Sequence, residues 1–275
     1  MRSIRTLDCR GLKLELGRRT LIMGILNATP DSFSDGGKYN TIESAVEQAK
    51  MMVAEGADII DIGGESTRPG SNKVDAEEEL KRVIPIIEAV RTAVNVPISV
   101  DTYKPVVARH ALQAGAHILN DIWGLKHDQE MGRVAEQFNC PIILMHNREE
   151  TRYNDFIPDV IADLQACIRL AEQAGINQEQ IILDPGIGFA KTIDHNIQLM
   201  NHLHLISNLG YPVVLGTSRK RFIQQTLELP ARDVVEGTSV TVVLGITQGC
   251  DIMRVHDVRA ISRVARMTDA IIKGR

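Results

Sequence analysis

Asp101, Asn120 and Asp184 each close a short apolar run, in VPISVD, AHILND and QIILDPG. Residues that end parallel strands project towards one mouth of the sheet, so two carboxylates and an amide are expected to share a cavity. Such groups are costly to bury unpaired. A planar heterocycle with ring N–H, amino and carbonyl groups satisfies all three together. For any one of them alone, the alternative is capping of the following loop or helix.

Cations stand at similar places. Arg254 and His256 are two apart in DIMRVHD and so face the same side of a strand. Arg219 and Lys220 follow the run YPVVLGTS, and Arg68 lies in another loop that follows an apolar run. A guanidinium inside a strand needs an anion. Phosphate or diphosphate is one reading, and a salt bridge to Asp257 or Asp251 is the other. The stretch Gly216-Thr-Ser-Arg-Lys also opens a helix, whose N-terminus favours negative charge. Asn27 ends LIMGILN; its amide oxygen could ligate Mg²⁺ beside ligand phosphates, or serve a turn. His146 is read as a pocket wall, and no H-E-x-x-H pattern suggests catalytic zinc. Asp184-Pro-Gly-Ile-Gly-Phe-Ala-Lys is a strand-to-loop turn and not a dinucleotide fingerprint.

These residues need a frame, and the apolar runs supply one. There are eight: LIMGILN, ADIIDIGGES, VPISVD, AHILND, CPIILMH, QIILDPG, YPVVLGTS and DIMRVHD. Helical periodicity fills the stretches between them, the pattern of a parallel sheet built from strand–helix units. Eight units imply an α/β (β/α)₈ TIM barrel, one domain over residues 1–275, with residues 1–18 forming an N-terminal β-hairpin that plugs the lower end. The first strand is expected over 20–27 and the second over 58–63. Long polar loops follow both, over 28–39 and 64–75, as lids or binding elements do. Thr41 is a candidate N-cap for the first helix, and Asp75-Ala-Glu-Glu announces the second. The second helix is expected to bury Leu80, Val83, Ile84, Ile87 and Val90. Further helices are expected over 160–174 and 258–272. The segment 233–249 reads as a helix despite its threonines and valines, with Thr238, Val242, Gly245 and Ile246 against the last strand.

The bulk composition permits a large core: 44% hydrophobic, 24% charged, with a net charge of −4. That balance argues against nucleic-acid backbone binding but allows a local anion pocket. No apolar run reaches membrane-spanning length, and the first residues lack a secretory core, so a cytoplasmic protein without a membrane partner is expected. Cys9, Cys140, Cys167 and Cys250 are too scattered for a disulfide framework and are read as buried thiols.

The motifs resemble those of the dihydropteroate synthase family. Gly24-Ile-Leu-Asn-Ala-Thr-Pro-Asp-Ser-Phe-Ser-Asp-Gly-Gly37 is similar to its first loop, and Asp61-Ile-Gly-Gly-Glu-Ser-Thr-Arg-Pro-Gly70 to its second. Ser99–Thr102, Asn120–Trp123, Leu144–His146, Leu183–Phe189, Gly216–Lys220 and Arg254–Asp257 follow in order, over nearly the whole barrel. The resemblance implies condensation of 6-hydroxymethyl-7,8-dihydropterin diphosphate with 4-aminobenzoate to 7,8-dihydropteroate and diphosphate, a step of folate biosynthesis and a sulfonamide target. It implies pterin contacts from Asp101, Asn120, Met145, Asp184, Gly216 and Lys220, and diphosphate contacts from Arg68, Arg254 and His256. It places 4-aminobenzoate against Phe33, Thr67, Pro69, Phe189, Ser218 and Lys220. Asp35, Asp101 and Lys220 become the catalytic candidates, Asn27 the Mg²⁺ ligand, and a homodimer the assembly. Ionisation of the pterin methylene before amine attack is the implied order. Two positions depart from the family pattern: Arg221 stands where Ser is common and Gln224 where Gly is common. The competing assignments are a methyltetrahydrofolate-dependent corrinoid methyltransferase and a non-catalytic pterin-binding paralogue.

Overall fold

The computed structural model describes residues 4–28, 38–65 and 74–273. A hairpin comes first, β1 (Arg5–Cys9) antiparallel to β2 (Leu12–Leu16). Eight parallel strands follow: β3 (Leu21–Asn27), β4 (Ile59–Gly63), β5 (Ile98–Asp101), β6 (Ile118–Asp121), β7 (Ile142–Met145), β8 (Ile181–Asp184), β9 (Val214–Leu215) and β10 (Ile252–Val255). Their order is β8-β7-β6-β5-β4-β3-β10-β9, and a single parallel bridge from Leu183 to Val213 joins the two ends. The sheet is thus the barrel implied by the eight apolar runs.

Helices wrap it: α1 (Lys38–Ala54), α2 (Ala76–Ala93), α3 (Pro105–Ala114), α4 (Glu130–Gln137), α5 (Phe156–Gln173), α6 (Ile193–Met200), α7 (Leu203–Ser207), α8 (Arg221–Leu227), α9 (Val235–Thr247) and α10 (Val258–Lys273). The acidic start of α2 behaves as its residues dictate, with the Asp75 carboxylate accepting from the Glu78 N–H at 2.8 Å. Val83, Ile86, Ile87 and Val90 are its buried face, while Leu80 and Ile84 sit at the edge. Two boundaries differ from expectation. Thr41 lies inside α1 and does not cap it, and α5 begins at Phe156, four residues before Val160. The helical reading of 233–249 holds in α9 because Gly245 admits close approach. A Cβ there would stand 2.3 Å from Leu215 Cδ2.

Two apolar layers result. The larger lies between strands and helices. The smaller fills the barrel's lower end, where Leu7, Cys9, Leu14 and Leu16 of the hairpin meet Met23, Ile59, Ile118, Ile143, Ile182 and Ile252. The hairpin is therefore a plug, as expected, and Arg10 at its turn fastens it by donating to the Leu112 and Ala116 carbonyls at the end of α3. All four cysteines are buried free thiols. Among the described residues no helix is long and apolar enough to cross a membrane.

Candidate active site

Strand register gathers the site. Gly63, Asp101 and Asn120 stand side by side on β4, β5 and β6, and Met145 stands beside Asp184 on β7 and β8. Asp101, Asn120, Met145 and Asp184 are all buried at the C-terminal mouth. Arg254, on β10, reaches Asp61 and Asp101: Nε donates to Asp61 Oδ2 and Nη2 to Asp101 Oδ2, each at 2.6 Å. Asn120 Nδ2 donates to the same Asp61 oxygen at 3.3 Å. Asp61 and Arg254 come from alternate strands around the ring, the pattern by which one layer of a barrel is filled.

This corrects two expectations. Arg254 does form a salt bridge, but neither Asp257 nor Asp251 is its partner; Asp257 instead pairs with Arg219, at 3.0 and 2.6 Å. The cations are expected at the rim and the acids at the floor of the cavity, yet Arg254 sits among the acids. Burial works against the Arg254 charge, yet Asp61 and Asp101 outweigh it and hold its pKa above the ordinary arginine value. Burial raises the pKa of Asp101, with Asp61, Glu79 and Asp184 pushing the same way against Arg254. Burial also raises that of Asp184, against Lys220. Asp61 Oδ1 and Asp101 Oδ1 are buried with no hydrogen-bond partner among the described residues. Native proteins rarely leave such acceptors empty, so the mouth is built to receive donors.

Opposite this cluster, the loop after β8 folds tightly. Asp184 Oδ1 accepts from the Gly186 N–H at 2.7 Å. The loop presents the Ile187 carbonyl and the Phe189 ring to Lys220, which donates to the first and lies 4.7 Å above the second. Burial pulls the Lys220 pKa down to about 8, Asp184 opposing. Gly186 and Gly188 both have positive φ, at 65° and 84°. At Gly186 a Cβ would fall 1.9 Å from the His146 carbonyl oxygen. Gly186→Ala is therefore expected to destabilise the fold by at least about 3 kcal/mol, as a lowered urea midpoint. An unchanged midpoint would contradict this packing.

The loops after β9 and β10 interlock. Ser218 Oγ accepts from the His256 N–H at 3.1 Å and lies 3.0 Å from His256 Nδ1. Arg219, at φ 57°, has its carbonyl held by Gln224 Nε2 at 2.8 Å. Gln224 thus supports a strained turn where glycine was the family expectation. Arg221 is exposed at the start of α8. Gly216 lies against the Arg254 stem, its virtual Cβ 3.8 Å from Arg254 Cβ and Cδ. Asn27 ends β3 opposite Gly63.

Phe33, Asp35, Thr67, Arg68 and Pro69 lie outside the described residues. His146 is no pocket wall: it is fully buried, between Asp163 and Lys191. Sequence reasoning missed Asp61 and Lys191. A carboxylate in the middle of the apolar run ADIIDIG was the available signal for Asp61, because a strand-embedded arginine needs such a partner.

A closed parallel barrel with paired acids and cations at its C-terminal mouth defines an enzyme-like small-molecule site. The family model described as "Pterin binding enzyme" matches residues 23–256. The dihydropteroate synthase of Bacillus subtilis (strain 168) is 57% identical over 259 residues, 94% of this chain and 91% of that protein. The solved dihydropteroate synthase of Clostridium difficile, in the presence of pteroic acid, is 48% identical with a TM-score of 0.92, covering 94% of this chain and 98% of that one. That of Xanthomonas albilineans, with 4-aminobenzoic acid, is 41% identical with a TM-score of 0.94, covering 98% and 99%. The chain belongs to the pterin binding enzymes, in the dihydropteroate synthase family.

Proposed function

We propose that this mouth is the active centre of a dihydropteroate synthase. The reaction joins the pterin methylene of 6-hydroxymethyl-7,8-dihydropterin diphosphate to the amine of 4-aminobenzoate, releasing diphosphate. The observation that carries the assignment to this mouth is the pair of buried, unpartnered oxygens on Asp61 and Asp101. A pterin brings ring N–H and amino donors to such acceptors. Asp101, Asn120, Asp184 and Lys220 hold the heterocycle, with Met145 and Gly216 shaping its walls. Arg254, whose Nη1 takes no part in the bonds to Asp61 and Asp101, grips the diphosphate with His256 and Arg68. Phe189, Ser218 and Lys220 meet 4-aminobenzoate, together with Phe33, Thr67 and Pro69.

The charges suggest an order of events. The bond from the methylene carbon to the diphosphate oxygen breaks, and its electron pair leaves on that oxygen. The pterin ring delocalises the positive charge, which Asp101 favours. The neutral arylamine then attacks the methylene and loses a proton, with Asp35 steering it. No strong general base is required, because the amine is already unprotonated at neutral pH. With the bridging oxygen labelled by ¹⁸O, ionisation before attack predicts scrambling into non-bridging positions without 4-aminobenzoate. Absence of scrambling would favour direct displacement.

Mg²⁺ fits as a cofactor in a limited sense. Among the described residues no three His, Cys, Asp or Glu side chains converge on a metal position, and Asn27 ends β3 only partly buried. A single amide oxygen suits an ion that takes its remaining ligands from phosphates and water. Such an ion would neutralise charge on the departing diphosphate. The direct test of the function is diphosphate release from the pterin substrate, with and without 4-aminobenzoate and Mg²⁺. Release that ignores 4-aminobenzoate at steady state would overturn the synthase reading.

Arg221 is exposed, so Arg221→Ser is expected to change the Michaelis constant for 4-aminobenzoate by less than about threefold. A larger rise would place the guanidinium on the benzoate carboxylate. A homodimer is supported by apolar side chains on neighbouring helices: Val240 and Leu244 on α9 are 61% and 39% exposed, and Met267 and Ile271 on α10 are 62% and 69% exposed. Val240→Glu with Leu244→Glu is expected to give a species of 30.4 kDa by light scattering, against twice that for the parent. Equal masses would exclude this face. Buried free thiols are in keeping with a reducing, cytoplasmic setting.

A further inference from the structure

Behind the site, around the buried His146, lies a chain of half-buried polar groups that the reaction above does not use. Arg148 Nε donates to Asp163 Oδ2 at 2.6 Å, and the same oxygen lies 3.0 Å from His146 Nε2. His146 Nδ1 lies 2.7 Å from Lys191 Nζ. Lys191 Nζ also donates to the carbonyls of Gly186 at 2.9 Å and Phe189 at 3.0 Å. An ammonium has three N–H groups, and here three acceptors converge on it. With Lys191 as an ammonium, its third N–H meets His146 Nδ1, and the neutral ring then carries its proton on Nε2 towards Asp163. Burial pulls the His146 pKa down to about 4, which agrees with a neutral ring. Burial also pulls Lys191 well below the ordinary lysine value, Lys220 and Lys126 acting the same way and Asp184 and Asp163 opposing.

The two carbonyls bound by Lys191 bracket the part of the loop that meets Lys220. Between Gly186 and Phe189 lie the Ile187 carbonyl, which accepts from Lys220, and Gly188, whose virtual Cβ is 3.0 Å from Lys220 Cδ. Phe189 carries the ring beneath the Lys220 ammonium. The rest of the loop is held independently, Gly188 N–H by Asn196 and the Ala190 carbonyl by Tyr153. Removing the Lys191 ammonium therefore frees the Phe189 carbonyl and leaves that of Gly186 only the Phe189 N–H at 3.1 Å, without cutting the other anchors.

We propose that Lys191 is a positioning residue: from beneath the loop 185–190 it fixes the Ile187 carbonyl and the Phe189 ring, and so sets where the Lys220 ammonium meets the pterin. This rests on the reading of Lys220 as a pterin contact. The test is a double-mutant cycle on the full chain, with Lys191→Met, Lys220→Met and the pair. Binding of 6-hydroxymethylpterin is followed by its fluorescence. Lys191→Met is expected to weaken binding about tenfold, and the pair is expected to bind within about threefold of Lys220→Met alone, because an effect transmitted through Lys220 disappears with it. Effects that multiply in the pair, or Lys191→Met binding like the parent, overturn the proposal. Lys220→Met binding like the parent instead overturns the site assignment. If Lys191→Met does not fold, Lys191→Leu, which also lacks the N–H donors, takes its place in the cycle. Failure of both to fold refutes a role confined to positioning.

Discussion

Arg254→Met is expected to lower the stability of the fold by about 3–5 kcal/mol at pH 7 and kcat/KM for the pterin substrate by ~10²–10³-fold. The first effect follows from what the guanidinium leaves behind. Asp61 is fully buried and Asp101 nearly so, and both bond to Arg254 at 2.6 Å. Without it, two carboxylates face each other in a medium that solvates neither. The Asp101 pKa, already raised by burial, then rises further above its unfolded value. A group with a raised folded-state pKa carries its penalty at high pH and sheds it as pH falls and the proton binds. The deficit should accordingly shrink between pH 7 and pH 5, measured by urea unfolding of parent and variant at both. A deficit of equal size at the two pH values would mean that loss of packing, not unpaired charge, is responsible.

Asp101→Asn is expected to reduce kcat by ~10²–10³-fold and to reshape the pH profile. In the parent, burial holds the Asp101 carboxyl above the usual carboxylate range. Activity that needs the carboxylate therefore climbs as pH rises through that raised value. Burial pulls Lys220 down to about 8, so activity that needs its ammonium falls as pH passes that point. The parent should thus show a bell with a narrow top. In the variant the acid limb should move to lower pH while the alkaline limb stays. An unmoved acid limb would assign it to another group, with Asp184, also raised by burial, as the next candidate.

Much of this was legible beforehand, for reasons that can be named. Apolar runs of strand length ending in Asp101, Asn120 and Asp184 announce a parallel barrel, because a strand buried on both faces must be apolar throughout and its polar end marks the mouth. Asp75 gave away the start of α2 because its side chain does the capping. The partner of Arg254 was not legible. Which acid it meets depends on which strands alternate around the ring, and Asp61 lies 193 residues away. Lys191 was also invisible, since a lysine after a glycine-rich turn looks like any surface lysine until the turn is folded over it. His146 was misread for the same reason: its neighbours in sequence are not its neighbours in space.

The hairpin seated in the barrel's lower end has a bearing on the order of traffic. With Leu7, Leu14 and Leu16 stoppering that end, two reactants and two products share one doorway. A molecule resting on Asp101 and Asp184 lies deeper than one meeting the half-exposed Phe189 ring. With the pterin and the arylamine placed as proposed, the pterin is first in, and the arylamine, once seated, becomes its cork.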